Sequence, residues 1–451
     1  MQNANADIDI YEKYKKLASN DSRTVRSYRS QSLPSIAVLD DPITVTEVVE
    51  ALSNVPSSSS CGNLPVPTDV FKRLFNCAAF LLLFVKILDV IYHTAQVPSS
   101  WNEGFVTPVP KPGKPVCLKN LRPIAVTPLP NRILSKIISS RIDKWVDLQD
   151  DQFGFRSGRS TVDATFVLNS VLESTCHKSQ YVHAAFIDFS SAFDTVNHSK
   201  LWLKLEKKGV SAILLKFLKT CYSKAVNRVK WNGKQSKQYK LEKGVRQGEP
   251  TSGVLFNIYL DDLTYAVKTG RTTTLKINGR EIFLIKYADY VCVLSSSPEE
   301  LQISLDRLAA YANDFDLVIN IEKSYSMVFR GSKRKRIDIS VKIGDQVLHQ
   351  VREFKYLGFY LNEELSRKKS STRILNNAFA AYAQLCQRLA DLPDDCPTKV
   401  FEKMLSNTTT AIGSYGSELF GPNKDLDALY IRALRHFSAY HEKPQQSGCC
   451  I

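Results

Sequence analysis

The sequence predicts an α+β fold followed by a helical region. Strand-like and helix-like segments are mixed in irregular order between about residues 181 and 360. Beyond about residue 366 the spacing of apolar residues is helical. The chain has 451 residues with 43% hydrophobic content, enough for two or three packed subdomains, and it contains no internal repeat.

The N-terminal part is predicted to be mostly helical. Residues 1–40 are polar and predict a lead-in that is poorly ordered or briefly helical. The next apolar segment predicts a helix capped by Thr44 or Thr46. A long helix is predicted from about Thr68 to Tyr92 and contains the most apolar stretch of the chain. A lysine and an aspartate interrupt that stretch, so it predicts a buried helix rather than a membrane span.

From residue 98 onward, strands and helices are predicted in turn. Residues 98–130 are rich in proline and basic residues, which favours short strands and loops. The elements predicted after them are a helix from about 131, another after about 160, a strand at 181–189, a helix at 197–223, strands at 226–242, a helix at 252–268, strands at 275–295, a helix at 298–316, a strand at 325–329 and a strand pair at 338–360.

Charge and cysteine usage limit the class of protein. Sixty basic residues against 45 acidic ones leave a formal net charge of +15. This excess favours a polyanionic partner, nucleic acid before an acidic membrane surface, although a merely basic soluble protein has the same composition. The ten cysteines show no metal-binding spacing and predict a reducing, intracellular compartment, nucleus or cytoplasm.

Two aspartates lie at the ends of predicted strands. Asp188 ends the apolar strand "AAFID", and Asp289 lies at the bend of "FLIKYADYVCVLS". Nucleotidyl transfer to a 3′-hydroxyl uses two divalent cations, and Mg²⁺ prefers carboxylate oxygens held on rigid strands. The pair is therefore a candidate metal site, although a single strand-end aspartate is a common structural feature.

The order of the surrounding motifs adds a family resemblance. The blocks are "PSSWNEGFVTPVPKPGK", "NLRPIAVTPLPNRILSKIISSRI", "DDQFGFRSGRSTVDA", "FIDFSSAFDTVNH", "KGVRQGEPTSGVLFNIYLDDL", "KYADYVCVL", "LVINIEKS", "FKYLGFYL" and "SYGSELFG". In this order they resemble the reverse transcriptases of non-LTR (LINE-type) retrotransposons, from about residue 40 to 420. The resemblance implies a right-hand polymerase with fingers at 41–180, a palm with some finger elements at 181–330, primer-grip hairpins at 331–365, a helical thumb-like domain at 366–440 and a tail at 441–451.

The resemblance also implies the catalytic centre. Asp188 and Asp289, with the backbone carbonyl of Phe189, would hold two Mg²⁺ ions, with Mn²⁺ as a substitute. Phe193 matches the aromatic residue that lies under the incoming sugar and selects deoxynucleotides, although an ordinary core aromatic is the alternative. The position after Asp289, where the family has a second aspartate, is Tyr290. Loss of this carboxylate predicts weaker metal binding and impaired activity.

Further residues are implied to bind the substrates. Lys111, Lys114 and Arg122 would clamp the triphosphate, with a solvated loop as the alternative for Lys114. The other positions are Lys323 near the pyrophosphate, Gln247 and Gly248 against the nascent base pair, and Phe354, Tyr356, Leu357 and Gly358 at the primer end.

A second acidic pair matches the Tyr-x-Asp-Asp pattern literally but is predicted to be structural. Tyr259, Asp261 and Asp262 stand in "IYLDDL", whose apolar residues have helical spacing and follow no strand. Asp261 and Asp262 are therefore predicted to be surface acids at a helix C-terminus.

The function predicted from the sequence is that of a retrotransposon RNA-directed DNA polymerase. Its partners would be an RNA template, a DNA primer or target DNA and deoxynucleoside triphosphates, with no membrane. The alternatives are a catalytically inactive, nucleic-acid-binding polymerase fold and a decayed element copy. Elements of this family also carry an endonuclease, which we do not find in this sequence, so a fragment or a truncated copy of a longer protein is expected.

Overall fold

A computed structural model gives the fold of the chain. It describes residues 33–435 apart from 58, 63–65, 112, 114, 178–179, 269–274, 278, 332–333, 390–397, 416–427, 430 and 434. Lys114, most of the predicted lead-in and the predicted tail at 441–451 therefore lie outside the described residues.

The helices include every long helical segment predicted from the sequence, several of them divided. They are α1 Ala37–Asp40, α2 Val45–Ser53, α3 Thr68–Leu74, α4 Ala78–Thr94, α5 Leu129–Trp145, α6 Thr161–His177, α7 Ala192–Thr195, α8 His198–Lys207, α9 Ala212–Ser223, α10 Pro250–Leu260, α11 Leu263–Lys268, α12 Pro298–Asp314, α13 Arg367–Leu389, α14 Thr398–Leu405 and α15 Ala411–Ser414.

The strands form two larger sheets and three two-stranded hairpins. The strands are β1 Glu103–Pro110, β2 Leu121–Val126, β3 Val182–Asp188, β4 Val226–Trp231, β5 Lys234–Gln235, β6 Tyr239–Lys240, β7 Lys276–Ile277, β8 Arg280–Glu281, β9 Leu284–Tyr287, β10 Tyr290–Ser295, β11 Tyr325–Phe329, β12 Lys342–Ile343, β13 Gln346–Val347, β14 His349–Gln350, β15 Glu353–Tyr356 and β16 Phe359–Asn362. One sheet has the order β2-β1-β4-β5 with β6 on β4, and the central sheet has the order β14-β11-β3-β10-β9. This mixture of helices and sheets confirms the predicted α+β class.

The central sheet is covered on both faces. All seven residues of β3 are buried. Ala185 and Ile187 lie in a core shared with α5, α9, α10 and α12, whereas Ala184 and Phe186 lie in a second core with α6 and the β15–β16 hairpin. Because successive strand side chains point to opposite faces, burial of both faces explains why β3 is a continuous apolar run.

The start of the chain confirms one predicted cap and corrects one predicted helix. Thr44 caps α2, with its hydroxyl accepting from the Glu47 backbone and the Glu47 carboxylate accepting from the Thr44 backbone. The single helix predicted over Thr68–Tyr92 is wrong, because α3 and α4 meet at a 104° bend. The expected burial holds for only part of α4, because Phe84 and Leu88 are buried whereas Leu82, Leu83 and Val90 are exposed.

Two other predicted helices are divided. The segment at 197–223 forms α8 and α9, separated at Gly209, whose φ of +74° ends the first helix. The segment at 252–268 forms α10 and α11. In the described part of the chain, no single helix is long and apolar enough to cross a membrane. The bent pair α3–α4 reaches the necessary length and apolar composition only when its two helices are taken together.

Candidate active site

Asp188 occupies the last position of the central strand β3. It is 5% exposed. Its backbone N–H donates to the Ser324 hydroxyl at 3.1 Å, and its carbonyl accepts from the Asn320 N–H at 2.8 Å. Both bonds join it to the segment that leads into β11. Since backbone groups alternate in direction along an extended strand, the carbonyl of the following residue, Phe189, is directed to the opposite side, where the β9–β10 hairpin lies.

The β9–β10 hairpin brings Asp289 to the same end of the sheet. Tyr287 pairs with Tyr290, so the turn consists of Ala288 and Asp289. Ala288 has a φ of +55°, which is uncommon for a residue other than glycine. Where β10 pairs with β3, Tyr290 is the cross-strand partner of Asp188. The predicted pairing of a strand-end aspartate with a hairpin aspartate is thus present in the fold.

A loop from the "DDQFGF" motif holds the turn in place. The Gln152 side-chain carbonyl accepts from the Ala288 N–H at 3.2 Å and from the Gly154 N–H at 2.9 Å. A Cβ on Gly154 would lie 2.3 Å from the Ala288 nitrogen, so only glycine allows this approach. The Phe153 N–H donates to the Lys286 carbonyl at 2.8 Å. The motif therefore supports the strained turn that carries Asp289.

Burial perturbs both carboxylates, and the charge of Asp188 adds to the effect on Asp289. Burial, and then the neighbouring Asp188, raise the pKa of Asp289 to about 6. Burial also raises the pKa of Asp188, against the opposing effect of Lys323, whose ammonium lies 3.4 Å from a carboxylate oxygen. Lys111 lowers the pKa of Asp188 and Arg122 lowers that of Asp289, so cations surround the pair.

Residue 290 is a tyrosine and adds no carboxylate to those of Asp188 and Asp289 at this end of the sheet. Its side chain is on the same face as that of Asp188, because directly paired strand residues share a face. Burial and both aspartates raise the pKa of Tyr290, so its phenol is neutral at pH 7. Within the described residues, no group of three or more histidines, cysteines, aspartates and glutamates is arranged to hold a metal.

Phe193 lies on the short helix α7, five residues after Asp188. Its ring stacks on Phe256 of α10 with centroids 4.7 Å apart, and Phe155 contacts it edge-on at 5.5 Å. One face of the ring thus packs against the core. The side chain is half-buried, so part of the ring is accessible.

The loop before α10 connects the site to the β1–β2 hairpin. The Gln247 carbonyl accepts from the Ala125 N–H at 2.7 Å, and its side-chain amide donates to Asp194 at 3.2 Å. Gly248 has a φ of +103°, and a Cβ there would lie 3.0 Å from the Ala125 carbonyl. Lys111 follows β1 and Arg122 lies on β2 of the same hairpin. The structure therefore brings the residues predicted for base pair and triphosphate contact to one side of the aspartates.

The predicted primer hairpin packs its aromatic rings against β3. Tyr356 is fully buried and packs on Phe186 of β3, and Phe354 packs on the same ring at 4.7 Å. The turn itself, Leu357 and Gly358, is covered in part by Tyr415, whose hydroxyl donates to the Leu357 carbonyl at 2.8 Å. Of the four residues, Tyr356 is therefore unavailable for direct contact with a primer, whereas Phe354, Leu357 and Gly358 are each partly exposed.

The second acidic pair is structural, as predicted, but not wholly on the surface. Asp261 follows the end of α10, is 5% exposed, pairs with Lys208 at 2.7 Å and accepts from the Gln149 N–H at 2.8 Å. Asp262 pairs with Lys204 at 2.5 Å. The expectation of a surface acid is thus wrong for Asp261. Its carboxylate is buried because Lys208, which is distant in sequence, forms an ion pair with it.

One buried residue of the hairpin was missed by the sequence analysis. Lys286 of β9 has no exposed surface, and its ammonium lies 3.1 Å from a carboxylate oxygen of Asp151. It donates to the Thr264 hydroxyl at 2.8 Å and to the carbonyls of Leu260 and Asp261 at 3.3 Å. The available signal was a lysine within an otherwise apolar strand that is buried on both faces.

Comparisons with known proteins identify the family of the chain. Residues 109–361 match the family described as reverse transcriptase (RNA-dependent DNA polymerase). The probable RNA-directed DNA polymerase from transposon BS of Drosophila melanogaster is 28% identical over 346 residues, covering 74% of this chain and 37% of that protein. The RNA-directed DNA polymerase from mobile element jockey of Drosophila funebris is 26% identical, covering 81% and 40%. The chain thus spans about two fifths of the length of these curated relatives.

The likeness to solved structures is weaker. A telomerase from Candida albicans, solved with a fragment of telomeric RNA, aligns with a TM-score of 0.44 and 11% identity over 83% of this chain and 67% of that one. The family match covers more than half of the chain, and the mixed architecture is consistent with a right-hand polymerase fold. This chain belongs to the reverse transcriptase (RNA-dependent DNA polymerase) family.

Proposed function

We propose that this protein extends a DNA primer on an RNA template by two-metal nucleotidyl transfer, as the polymerase of a non-LTR retrotransposon. The observation that carries the proposal is the meeting of Asp188 and Asp289 at one end of the central sheet, within the region that matches the family. The names of the relatives favour this activity over a protein that only binds nucleic acid.

The two aspartates fit a divalent cation site. Burial raises the pKa of both carboxylates, and Asp188 raises that of Asp289 further, so a nearby cation would stabilise their charged forms. Their hard oxygens suit Mg²⁺ or Mn²⁺. Asp188, Asp289 and the Phe189 carbonyl would hold the metals. When bound, such ions lower the pKa of a primer hydroxyl and neutralise charge on the leaving pyrophosphate.

The surrounding side chains would bind and orient the substrates. Lys111, Arg122 and Lys323 provide positive charge next to the carboxylates, where a deoxynucleoside triphosphate would bring its phosphates. The open part of the Phe193 ring would exclude a 2′-hydroxyl. Gly248 would place its backbone against the nascent base pair, and its lack of a side chain allows this loop to pack closely on Ala125.

Tyr290 would reduce the rate without removing the scaffold. Two carboxylates facing two dications leave an excess charge of +2, whereas a third carboxylate would leave +1. Loss of one charged contact to the transition state commonly costs about 10²–10³ in rate. We therefore expect slow extension by the native chain and faster extension by Tyr290→Asp.

Primer extension tests the proposal. Purified chain is incubated with an RNA template annealed to a labelled DNA primer, four deoxynucleotides and Mg²⁺ or Mn²⁺. The variants are Tyr290→Asp, Asp188→Asn in both backgrounds, and Asp345→Asn as a control. Asp345 is an exposed aspartate in the β12–β13 turn, so its loss changes charge by the same amount away from the site.

The expected pattern separates an enzyme from a binder. Tyr290→Asp is expected to extend the primer about 10²–10³ times faster than the native chain. Asp188→Asn should abolish extension, and Asp345→Asn should not change it. If Tyr290→Asp binds the primed template but never extends it, the enzyme proposal is refuted and an inactive nucleic-acid-binding polymerase fold takes its place.

A further inference from the structure

Phe155 is an exposed aromatic ring next to the candidate active site. Its side chain is 53% exposed, and its backbone has a φ of +51°. Bulky residues rarely adopt this conformation, and an exposed phenyl ring gains little from burial. Neither feature stabilises the fold, and strained backbone of this kind is concentrated at functional sites.

The surroundings hold the ring in one place. Gly154, the preceding residue, abuts the Ala288 backbone of the turn that carries Asp289. The Gly154 carbonyl accepts from the Asn257 side chain of α10 at 2.8 Å. The Phe155 ring itself lies on Gly253 of α10, where a Cβ would come within 2.7 Å of the ring. A side chain at Gly253 would therefore displace the ring.

The position of Phe155 relates it to the substrates. Its ring contacts Phe193 edge-on with centroids 5.5 Å apart. The nearby arginines are occupied elsewhere, since Arg156 donates to the Gln149 carbonyl at 2.9 Å and Arg159 pairs with Asp150 at 2.7 Å. The surface at Phe155 is thus apolar, which suits a base or sugar rather than a phosphate.

We propose that Phe155 contacts the terminal base pair of the RNA–DNA duplex at the primer end. This inference rests on the proposed function, because it needs a primed template in the site. Contacts between aromatic side chains and bases are tolerant of sequence, since every base has an apolar face. Phe155 would therefore contribute affinity and alignment at the growing end for any template.

Fluorescence with a base analogue tests the contact without requiring catalysis. The RNA template carries 2-aminopurine opposite the last primer nucleotide, and the primed template is titrated with native chain, Phe155→Ala, Phe155→Leu and Phe155→Trp. Phe166→Ala is the matched control, because Phe166 is a similarly exposed phenylalanine, 56% exposed, on α6. Anisotropy of a labelled primer gives the affinity in parallel, and thermal melting checks that each variant is folded.

We expect Phe155→Ala to weaken binding by about 5- to 150-fold and to remove the fluorescence change, with Trp retaining both. Phe155→Leu should fall between them, and Phe166→Ala should match the native chain. Native-like affinity and fluorescence in folded Phe155→Ala would overturn the inference while leaving the proposed function intact.

Two other outcomes are also decisive. If Phe155→Ala keeps the fluorescence change and alters only discrimination between ribo- and deoxynucleotides in extension assays, Phe155 merely supports Phe193 and the duplex contact is wrong. If the native chain itself does not bind the primed template, the proposed function fails together with the inference.

Discussion

Replacing Lys286 should destabilise the hairpin that carries Asp289. The ammonium of Lys286 is fully buried, faces the Asp151 carboxylate at 3.1 Å and donates to Thr264. Lys286→Met keeps the length of the apolar stem but removes the charge. The Asp151 carboxylate, only 13% exposed, would then remain in the interior without its cation.

The size of the effect follows from this burial. Removing one partner of a buried ion pair commonly costs about 3–5 kcal/mol, because the remaining charge has lost its compensation. The carbonyls of Leu260 and Asp261 lose a donor in addition. We expect the free energy of unfolding of Lys286→Met to fall by about 3–5 kcal/mol. In the Lys286→Met background, Asp151→Asn should restore about 1–3 kcal/mol, because it removes the unpaired charge.

Equilibrium unfolding in urea, followed by circular dichroism, measures these differences. Lys342→Met is the control, because Lys342 is an exposed lysine on β12. It should change the free energy of unfolding by less than about 0.5 kcal/mol. A loss below about 1 kcal/mol for Lys286→Met, or simple additivity with Asp151→Asn, would show that the buried pair does not hold the hairpin as we argue.

Three other predictions concern the sugar contact, the turn and a second buried lysine. Phe193→Val should raise ribonucleotide use about 10- to 100-fold, measured as the ratio of kcat/KM for the two sugars in the Tyr290→Asp background. Gly154→Ala should abolish extension and lower the melting temperature, because its Cβ would meet the Ala288 nitrogen at 2.3 Å. Burial lowers the pKa of Lys204 to about 8, so between pH 8 and 10 the unfolded chain binds more protons than the folded one. Relative to Lys204→Met, stability should therefore rise by up to about 3 kcal/mol over that range, measured by urea unfolding.

Local patterns in the sequence were sufficient to predict the strand-end aspartates. An apolar run ending in Asp188 and a short apolar hairpin around Asp289 carry their own signal, because strand burial fixes the residue types. The capping box at Thr44 and Glu47 is also local, with both partners within one helical turn. Such features depend on neighbours in sequence, so they can be read without knowing the fold.

The bend between α3 and α4 has no such local signal. No proline or glycine lies at the break, and the apolar residues continue through it. The bend lets Phe75 contact Phe80 and Phe84 edge-on, each with centroids 5.1 Å apart. Packing of these aromatic rings thus favours a bend where the spacing of apolar residues predicts a continuous helix. The rings meet only in the folded chain.

The burial of two charged residues could not be predicted from the sequence for a related reason. Lys286 and Asp261 look like surface residues when taken alone, since unpaired charges are rarely buried. Their partners, Asp151 and Lys208, lie more than 50 positions away along the chain. The interior accepts each charge only when its partner is present, so the sequence pattern alone could not have placed either residue.

Residue 290 pairs in the hairpin through its backbone, whereas the side-chain contacts described above come from other residues. The turn is fixed by Gln152 and Gly154, and its strand by Lys286, whereas the Tyr290 side chain is 42% exposed. Replacing aspartate by tyrosine at this position would therefore change the charge at the candidate metal site but leave the packing that brings Asp188 and Asp289 together. A substitution at residue 290 is thus expected to change the charge of the candidate site without changing the fold. For the same reason Tyr290→Asp should restore charge without refolding the site, so its free energy of unfolding should stay within about 1 kcal/mol of the native value while its extension rate changes by orders of magnitude.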